Sequence, residues 1–455
     1  MDLANHALPT HLSALVDVAH YQKMVQQVLA MAKQQGAEQA EVTVQASQGL
    51  QVAVRLQEVD KIEFNRNKAI SLTVWVAQRK GTATTTELSE ASLKRTVQSA
   101  LDLARFTEAD PCSGLADPAS LAQEIPDLAL YHPWELSVNE AIAQAKACER
   151  FALDYDKKIV NSDGAELYSE QDYFLYANSH GFIGGYPSSQ HALNCVVIAQ
   201  DEAGMERAYQ YTQNRQPQQL WSAEQVGTEA ASRALSRLAA QKIATQHTPI
   251  IFNAETARSL IGHLVQAISG GRLYRQLSFL LDSLGQAVLP AQFDLIERPH
   301  LLAGLGSAPF DDDGVATQAR TLVEQGILTS YVLSAYSARK LGLANTGNAG
   351  GVHNLMLQSQ TSMTFAQLLQ SMGEGLLVTE LMGQGVNLLT GDYSRGASGY
   401  WICDGKIQFP VHEITVAGNL KQMLLNLQNM SDDIDTRGNI QTGALLVEGM
   451  MVAGS

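Results

Sequence analysis

The segment ARSLIGHLVQAISGG (257–271) places His263 inside a predicted helix that directly follows a predicted strand, TPIIFN. A zinc peptidase of the zincin type carries its first metal ligand on a helix in this position. A catalytic zinc requires about three protein ligands and a vacant fourth position, and a glutamate beside the first histidine takes a proton from the bound water. His263 is therefore the first candidate for a metal ligand.

The neighbours of His263 lack the other groups that zinc hydrolysis needs. Leu264 stands where the glutamate belongs, and Ala267 and Ile268 stand at the two spacings that a second histidine would use. Because neither spacing supplies a ligand or a base, the sequence predicts a helix histidine satisfied by a backbone carbonyl or by water. It predicts no metal site, and His263 is the single candidate ligand.

Three consecutive carboxylates, Asp311, Asp312 and Asp313, come just before Gly314. Oxygen ligands suit Mg²⁺ or Ca²⁺, so the triplet is a candidate for a hard cation. The spaced ligands of an EF-hand loop are absent, however, and Asp followed by Gly favours a turn. The sequence therefore predicts a turn here rather than a metal site.

An Asn/Gly-rich loop, NTGNAGGVHN (345–354), carries backbone amides able to face an anion, a ligand or a partner chain. It has neither the Lys-Ser/Thr of a P-loop nor a strand-GxGxxG-helix arrangement, so we do not expect nucleotide binding. The residues expected to contact a peptide or a partner are Asn345, Gly347, Gly350 and His353.

Cys403 and His412 flank a predicted hairpin whose turn is Asp404-Gly405. A Cys–His nucleophile pair is one interpretation, and packing of two side chains on opposite strands is the simpler one. No GxSxG motif occurs in the sequence. The residues alone therefore give no complete catalytic set.

The elements that position these residues follow from the periodicity of the apolar side chains. Residues 21–35 have helical spacing, residues 40–86 indicate a meander of short antiparallel strands, and residues 92–106 return to a helix. A second pass over residues 138–241 repeats helix, strands and helix, without a repeat at the residue level. From residue 292 onward, short strands are punctuated by glycines.

These patterns predict an α+β fold in two parts. Residues 1–242 form an N-terminal α/β domain of helices and antiparallel sheet, and residues 243–455 form a C-terminal β-rich domain. A length of 455 residues is compatible with two or three domains of ordinary size.

Composition restricts the class of protein. The 31 Lys and Arg residues against 46 Asp and Glu residues give a net charge of −15, which disfavours a nucleic-acid binder. The four cysteines lie far apart and predict free thiols. Residues 1–20 lack the features of a signal peptide, and no run approaches 18 apolar residues, so we expect a cytoplasmic protein without membrane contact.

Five segments form a pattern that extends over essentially the whole chain: GHLVQAISGGRLYRQLSFLLDSLG (262–285), PFDDDGVATQ (309–318), AYSARKLG (335–342), NTGNAGGVHN (345–354) and GDYSRGASGYWICDGKIQFPVHEITVAGNL (391–420). In this pattern the chain resembles the TldD/PmbA family, and within it the PmbA (TldE) branch, whose members are named modulators of DNA gyrase. The TldD branch is a zinc metallopeptidase with His-Glu and a second His on the helix and a Cys near the C-terminus.

The resemblance implies a degenerate site in this chain. His263 is kept, whereas Leu264 stands at the glutamate position, Ile268 or Ala267 at the second histidine, and Ser431 close to the position of the cysteine. It therefore implies no catalytic residue and no cofactor in this chain, with zinc expected in a TldD-type partner.

The resemblance also implies a partnership, since PmbA and TldD proteins form a heterodimeric protease with an internal cavity. That protease acts on unfolded or extended peptides, in microcin maturation and antitoxin degradation. We therefore expect a non-catalytic subunit that pairs with a TldD-type chain, forms a homodimer when alone, and binds extended peptide at strand edges of the β-rich half.

Two alternatives stay open. The first is a metallopeptidase that is active by itself through a site assembled from His353, His412 or the carboxylates at 311–313. The second is a protein that binds DNA gyrase directly.

Overall fold

A six-stranded antiparallel sheet is the framework of the first half of the computed structural model, which describes residues 17–454. Its strands are β1 (Gln39–Arg55), β2 (Glu58–Val76), β3 (Arg79–Thr85), β4 (Ile159–Asn178), β5 (Ile183–Asp201) and β6 (Gly204–Asn214). They lie in the order β3-β2-β1-β4-β5-β6. Because β1 pairs with β4, the two passes along the chain form one sheet.

β1 and β2 are single strands of 17 and 19 residues, so the prediction of a meander of short strands over residues 40–86 is wrong in strand length. Polar residues such as Gln45 and Ser47 interrupt the apolar pattern and suggest turns. They instead alternate with buried residues along β1. The actual turns are at residues 56–57 and 77–78, where both residues have positive φ.

Four helices cover one face of this sheet: α1 (Val18–Gln34), α2 (Glu90–Phe106), α3 (Val138–Leu153) and α4 (Ala223–Ser236). α1 and α2 share a core with Val42 and Val44 of β1, and α3 and α4 share a second core with Val52 and Val54. These four valines lie on one face of β1 because side chains alternate along a strand. Burying each contributes roughly 1.5–3 kcal/mol.

Beyond residue 245 the described part of the chain forms short strands joined by helices. The strands are β7 (Gln246–Phe252), β8 (Phe293–Glu297), β9 (Arg320–Glu324), β10 (Ile327–Leu328), β11 (Leu355–Ser359), β12 (Ser362–Met363), β13 (Gly375–Met382), β14 (Asp392–Cys403), β15 (Lys406–Asn419), β16 (Leu427–Ser431), β17 (Ile440–Gln441) and β18 (Leu445–Ala453). The helices are α5 (Ala254–Ala267), α6 (Gly270–Leu273), α7 (Ala335–Leu341), α8 (Phe365–Met372) and α9 (Leu420–Leu425).

These strands form two sheets, one of which closes into a barrel. The open sheet has the order β10-β9-β8-β11-β17, and the other has the order β12-β16-β18-β15-β14-β13-β7. β18 also pairs with β7, so β7, β13, β14, β15 and β18 form a closed ring of five strands. One large core joins the barrel, the open sheet and α5.

The α+β class predicted from the sequence is confirmed, with helices and antiparallel sheet first and a β-rich region after residue 245. The division between residues 242 and 243 stays a prediction. All four cysteines are free, as predicted. The segment 1–16, where the sequence predicts no secretory leader, lies outside the described residues. Among residues 17–454, no helix is long and apolar enough to cross a bilayer.

Candidate functional site

Helix α5 positions His263. The helix begins after Asn253, whose side-chain oxygen accepts a hydrogen bond from the Thr256 backbone N–H at 2.9 Å and caps the first turn. Leu260, Ile261 and Leu264 bury the apolar face of α5 in the large core. His263 lies at the side of this face, and it is only partly covered.

The imidazole of His263 packs against Tyr393 of β14, with ring centroids 6.1 Å apart and ring planes at 69°. Both ring nitrogens are buried and have no hydrogen-bond partner among the described residues, so the predicted backbone-carbonyl partner is not there. Burial lowers the pKa of His263, and the charge of Arg395 lowers it further. The ring is therefore neutral at neutral pH.

Three positions near His263 carry apolar side chains. Leu264, Ala267 and Ile268 are buried in the apolar core and carry no ligand atoms. The hydroxyl of Ser431, at the end of β16, donates to Asp433 and accepts from the Ala444 backbone N–H at 2.7 Å.

Residues 17–454 contain no group of three or more His, Cys, Asp or Glu side chains that could hold a metal ion. The one histidine of α5 instead feels the positive charge of Arg395, which disfavours its protonated form. α5 contributes one imidazole, whereas a catalytic zinc requires about three protein ligands.

The carboxylate of Asp311 ties the Asn/Gly loop to the turn that precedes it. One oxygen accepts from the backbone N–H groups of Asp313 and Val315, and the other accepts from Ala349, each at 2.9 Å. Burial, and next the charge of Asp313, raise the pKa of Asp311 to about 7. The triplet therefore forms the predicted turn, and its first carboxylate bonds backbone amides.

Glu297 of β8, which the sequence analysis did not single out, holds the other end of the same loop. One of its oxygens accepts from the His353 backbone N–H and from the Asn348 side chain, both at 2.8 Å. Its other oxygen pairs with Arg320 at 3.2 Å, and Glu297 is fully buried. Strand alternation places Glu297 on the same face as Phe293 and Leu295, which is a signal that the sequence contains.

The four loop residues predicted to contact a peptide or a partner have different surroundings. Gly347 and His353 are buried, whereas Gly350 is exposed. Asn345 and Gly347 line a hollow of about 540 Å³ beside residues 119–124. The amides of Ala349 and His353 donate to carboxylates of the chain itself, so the expectation that the loop amides face a ligand is wrong for these two.

Cys403 and His412 do not form a nucleophile pair. Asp404 and Gly405 make the predicted turn, and Cys403 pairs with Lys406. His412 lies further along β15, near the position where Gly399 pairs with Val411. Four residues of strand separate Gly399 from Cys403, which is about 13 Å. The Nδ1 of His412 instead lies 3.3 Å from a carboxylate oxygen of Glu206.

A further polar group, Glu41 of β1, lies where the six-stranded sheet meets the C-terminal region. The Tyr176 hydroxyl donates to it at 3.0 Å. Burial, and next the charge of Asp313, raise the pKa of Glu41 to about 7. Glu41, Lys80, Asp110 and Asp313 line a hollow of about 470 Å³ at this junction.

Three domain models of one protein family match the sequence of this chain. Family models for the PmbA/TldA metallopeptidase match domain 1 at residues 40–104, the central domain at residues 131–238 and the C-terminal domain at residues 245–454. The chain belongs to the PmbA/TldD family. The first two models cover the two passes of the six-stranded sheet, and the third covers the barrel and its neighbouring sheet.

Several curated PmbA/TldD members are similar to this chain over most of its length. Metalloprotease PmbA of Escherichia coli O157:H7 is 49% identical over 426 residues, which are 94% of each chain. A metalloprotease PmbA homolog of Haemophilus influenzae is 47% identical over 416 residues, covering 91% of this chain and 92% of the relative.

Solved structures of the PmbA/TldD type have the same fold. A Bacteroides thetaiotaomicron protein whose structure is named for a modulator of DNA gyrase matches with a TM-score of 0.91 and 26% identity, covering 97% of this chain and 100% of that one. TldE from Thermococcus kodakarensis matches with a TM-score of 0.83 at 19% identity, covering 95% of this chain and 100% of that one.

Proposed function

We propose that this chain is the non-catalytic subunit of a cytoplasmic metallopeptidase made of two PmbA/TldD-type chains. In this proposal a TldD-type partner supplies the zinc and cleaves unfolded or extended peptides, with roles in antitoxin degradation and microcin maturation. The chain described here completes the enclosed cavity, and it forms a homodimer when the partner is absent.

The observation that carries the proposal is the set of side chains on α5. In the described part of the chain, both ring nitrogens of His263 lack a hydrogen-bond partner, whereas Leu264 and Ile268 are buried apolar residues. Without a bound metal, water with a pKa of about 15.7 has no route to hydroxide at neutral pH. A chain with this helix therefore needs another chain for hydrolysis.

The strand edges of the β-rich half are short in the described residues, which bears on where this subunit would bind a peptide. Strand addition at the edges of the β-rich half, expected from the sequence, has little backbone to pair with in the described residues. The edge strands there, β10, β12 and β17, contain two residues each. The hollow beside Asn345 and Gly347 is the peptide-contact region that we retain for this subunit.

The test is metal content and peptide cleavage, measured on the purified chain alone and after mixing with a TldD-type chain. We expect substoichiometric zinc and no cleavage of a disordered peptide by the chain alone, and cleavage by the mixture. A His263→Ala variant in the mixture should cleave at the rate of the unmodified chain. Its matched control is the TldD-type partner with its own helix histidines replaced, which should abolish cleavage.

One alternative function has a specific observation behind it, because relatives with 47–49% identity are named metalloproteases. Under this alternative the chain cleaves peptide by itself. Stoichiometric zinc and cleavage by the isolated chain, both lost in His263→Ala, would establish it and overturn the proposal. Co-purification with gyrase, without a TldD-type chain, would instead favour a direct gyrase-binding protein.

A further inference from the structure

The hollow of about 540 Å³ beside the Asn/Gly loop has a wall that hydrogen bonds of the chain itself fix in place. The Ala316 backbone N–H donates to the Ser120 carbonyl at 3.1 Å, and the Ala122 backbone N–H donates to the Gly314 carbonyl at 3.0 Å. Ligand sites in proteins have volumes of roughly 300–1,000 Å³. The hollow is therefore a preformed space of suitable size for a ligand.

Arg320 of β9 lines this hollow and uses only part of its guanidinium within the fold. Its Nη2 bonds Glu297 at 3.2 Å, Asn348 at 2.8 Å and the Thr346 carbonyl. Its Nε is buried without a partner, and its Nη1 is not buried and makes no hydrogen bond to residues 17–454. Because the side chain is 20% exposed, the N–H groups of Nη1 are open to a ligand.

Other polar groups of the lining also lack partners. Asn345 has a buried Nδ2 without an acceptor in the described part of the chain. The main-chain N–H and C=O groups of Gln318 and Ala319 make no hydrogen bond there either, and both residues are exposed. Consecutive unpaired main-chain groups are what an extended peptide pairs with. The lining therefore offers N–H donors and carbonyls side by side.

The charges around Arg320 favour a neutral ligand oxygen over an anion. The buried carboxylate of Glu297 already balances Arg320, and Glu124 lines the hollow as well. The net charge of the whole chain is −15. A carboxylate would bring a further negative charge to this neutral pair, whereas an amide carbonyl accepts the same N–H groups without adding charge.

The shape of the lining favours a peptide main chain among the neutral ligands. None of the described residues that line the hollow is aromatic, so there is no ring on which a nucleobase could stack. Four of the lining residues are small: Ala119, Ala316, Ala319 and Gly347. Small side chains let another main chain approach closely, as backbone pairing requires.

We propose that this hollow binds the main chain of an uncharged, extended stretch of peptide. The Nη1 of Arg320 donates to a peptide carbonyl, and the main chain of Gln318 and Ala319 pairs with the neighbouring peptide groups. The inference rests on the proposed function and adds the part of a peptide that this subunit recognises. Main-chain contacts carry little side-chain information, so peptides of varied sequence bind if the stretch is uncharged.

Calorimetric titration of the isolated full-length chain tests the binding. The probe is a short unstructured peptide of Gly, Ser and Gln with an acetylated N-terminus and an amidated C-terminus. We expect saturable binding, and the same peptide with a free C-terminal carboxylate should bind no more tightly. Absence of binding would overturn the inference. Binding of the free acid more than about tenfold tighter would also overturn it, because the hollow would then recognise a carboxylate.

Ala319→Phe tests the location. Because Ala319 is exposed and lines the hollow, the added ring fills the hollow without entering the core. The dissociation constant of the capped peptide should rise at least about tenfold. The matched control is Ala91→Phe at an exposed alanine of α2, which should leave the dissociation constant unchanged. Equal binding by the Ala319→Phe variant would overturn the inference.

Arg320→Lys tests the guanidinium. The lysine keeps a positive charge beside Glu297 and lacks Nη1, so the dissociation constant should rise about fivefold. Circular dichroism of this variant shows whether it is folded, and Ala319→Phe decides the question if it is not. A folded Arg320→Lys variant that binds like the unmodified chain would contradict the role of Arg320.

The outcomes separate this inference from the proposed function, because titration of the isolated chain measures no cleavage. Cleavage by the mixture without peptide binding by this chain would overturn the inference and leave the proposed function standing. Peptide binding in the hollow without cleavage by the mixture would overturn the proposed function and leave the inference standing.

Discussion

The histidine on α5 is a buried polar side chain in an apolar surrounding. Its ring nitrogens are buried and have no hydrogen-bond partner within residues 17–454, and the charge of Arg395 acts on the ring. An unsatisfied buried polar group costs about 1–3 kcal/mol of folding free energy. His263 is therefore a residue whose imidazole nitrogens contribute nothing favourable to the isolated fold.

Replacing His263 by phenylalanine should keep or raise the free energy of unfolding at pH 7.5, by up to about 1 kcal/mol, because the change removes two unsatisfied atoms. The pKa of His263 is lowered in the folded state, so below pH 6.5 the unfolded chain binds more protons at this residue than the folded chain does. The free energy of unfolding therefore decreases as the pH decreases. The phenylalanine variant should not show this decrease in the free energy of unfolding between pH 6.5 and pH 5.

Urea unfolding at pH 7.5 and pH 5.5 measures both effects, with the exposed His20→Phe as the control. A loss above about 2 kcal/mol at pH 7.5 would mean that the imidazole nitrogens have partners in the folded protein.

At the scale of elements, the loop at residues 345–354 is held from both sides by buried carboxylates. Asp311 accepts from Ala349, and Glu297 accepts from Asn348 and His353. The loop also lines the hollow that we assign to peptide contact. Its order therefore depends on groups that do not themselves face the hollow.

Glu297→Ala should lower the free energy of unfolding by about 3 kcal/mol, because it leaves the partly buried Arg320 guanidinium without its carboxylate and two loop donors without their acceptor. Limited proteolysis should then cut within residues 345–354 faster than in the unmodified chain. Glu297→Gln, which keeps an oxygen for the two loop donors, should lose less stability and remain resistant. Equal resistance of the Ala variant would show that the loop is ordered by other contacts.

Periodicity in the sequence predicted α1 to α5 and the β-rich character of the second half, because both are local properties, but it did not predict the shorter helices α6 to α9. The helix that the sequence predicts around His263 is observed as α5 at residues 254–267. Strand lengths were predicted poorly, since polar residues on the face of β1 opposite the helices resemble turn residues. Arg395 and Glu297 were missed because the residues they act on lie far away in sequence. Arg395 acts on His263, and Glu297 bonds Asn348 and His353.

At the scale of the whole molecule, polar side chains join the six-stranded sheet to the C-terminal region. Arg215, just after β6, donates to the carbonyls of Gly304 and Leu305 at 2.9 and 2.8 Å. Near the other end of the contact, Glu41 and Asp313 face the same hollow. Two carboxylates close together in a net acidic chain make this contact sensitive to pH.

Glu41→Gln should stabilise the protein more at pH 8 than at pH 5. The pKa of Glu41 is raised to about 7 in the folded state, so its contribution is complete below the unfolded value near 4.5 and is lost as the pH rises through 7. The glutamine variant has no such loss, and it keeps an acceptor for Tyr176.

The gain in unfolding free energy at pH 8 should be on the order of 2 kcal/mol, measured by urea titration at both pH values. Glu229→Gln on the exposed face of α4 is the control and should change little at either pH. A gain that is the same at pH 5 and pH 8 would mean that Glu41 is ionised in both.

The pairing of β18 with β7 has a consequence for biosynthesis. β7 begins at residue 246, and the strand that completes the ring beside it ends only at residue 453, some two hundred residues later. While the ribosome is still translating that interval, β7 has β13 as a neighbour at most and the barrel has a gap. Its final closure therefore waits until translation has passed residue 453, whereas the six-stranded sheet can assemble much earlier on the nascent chain.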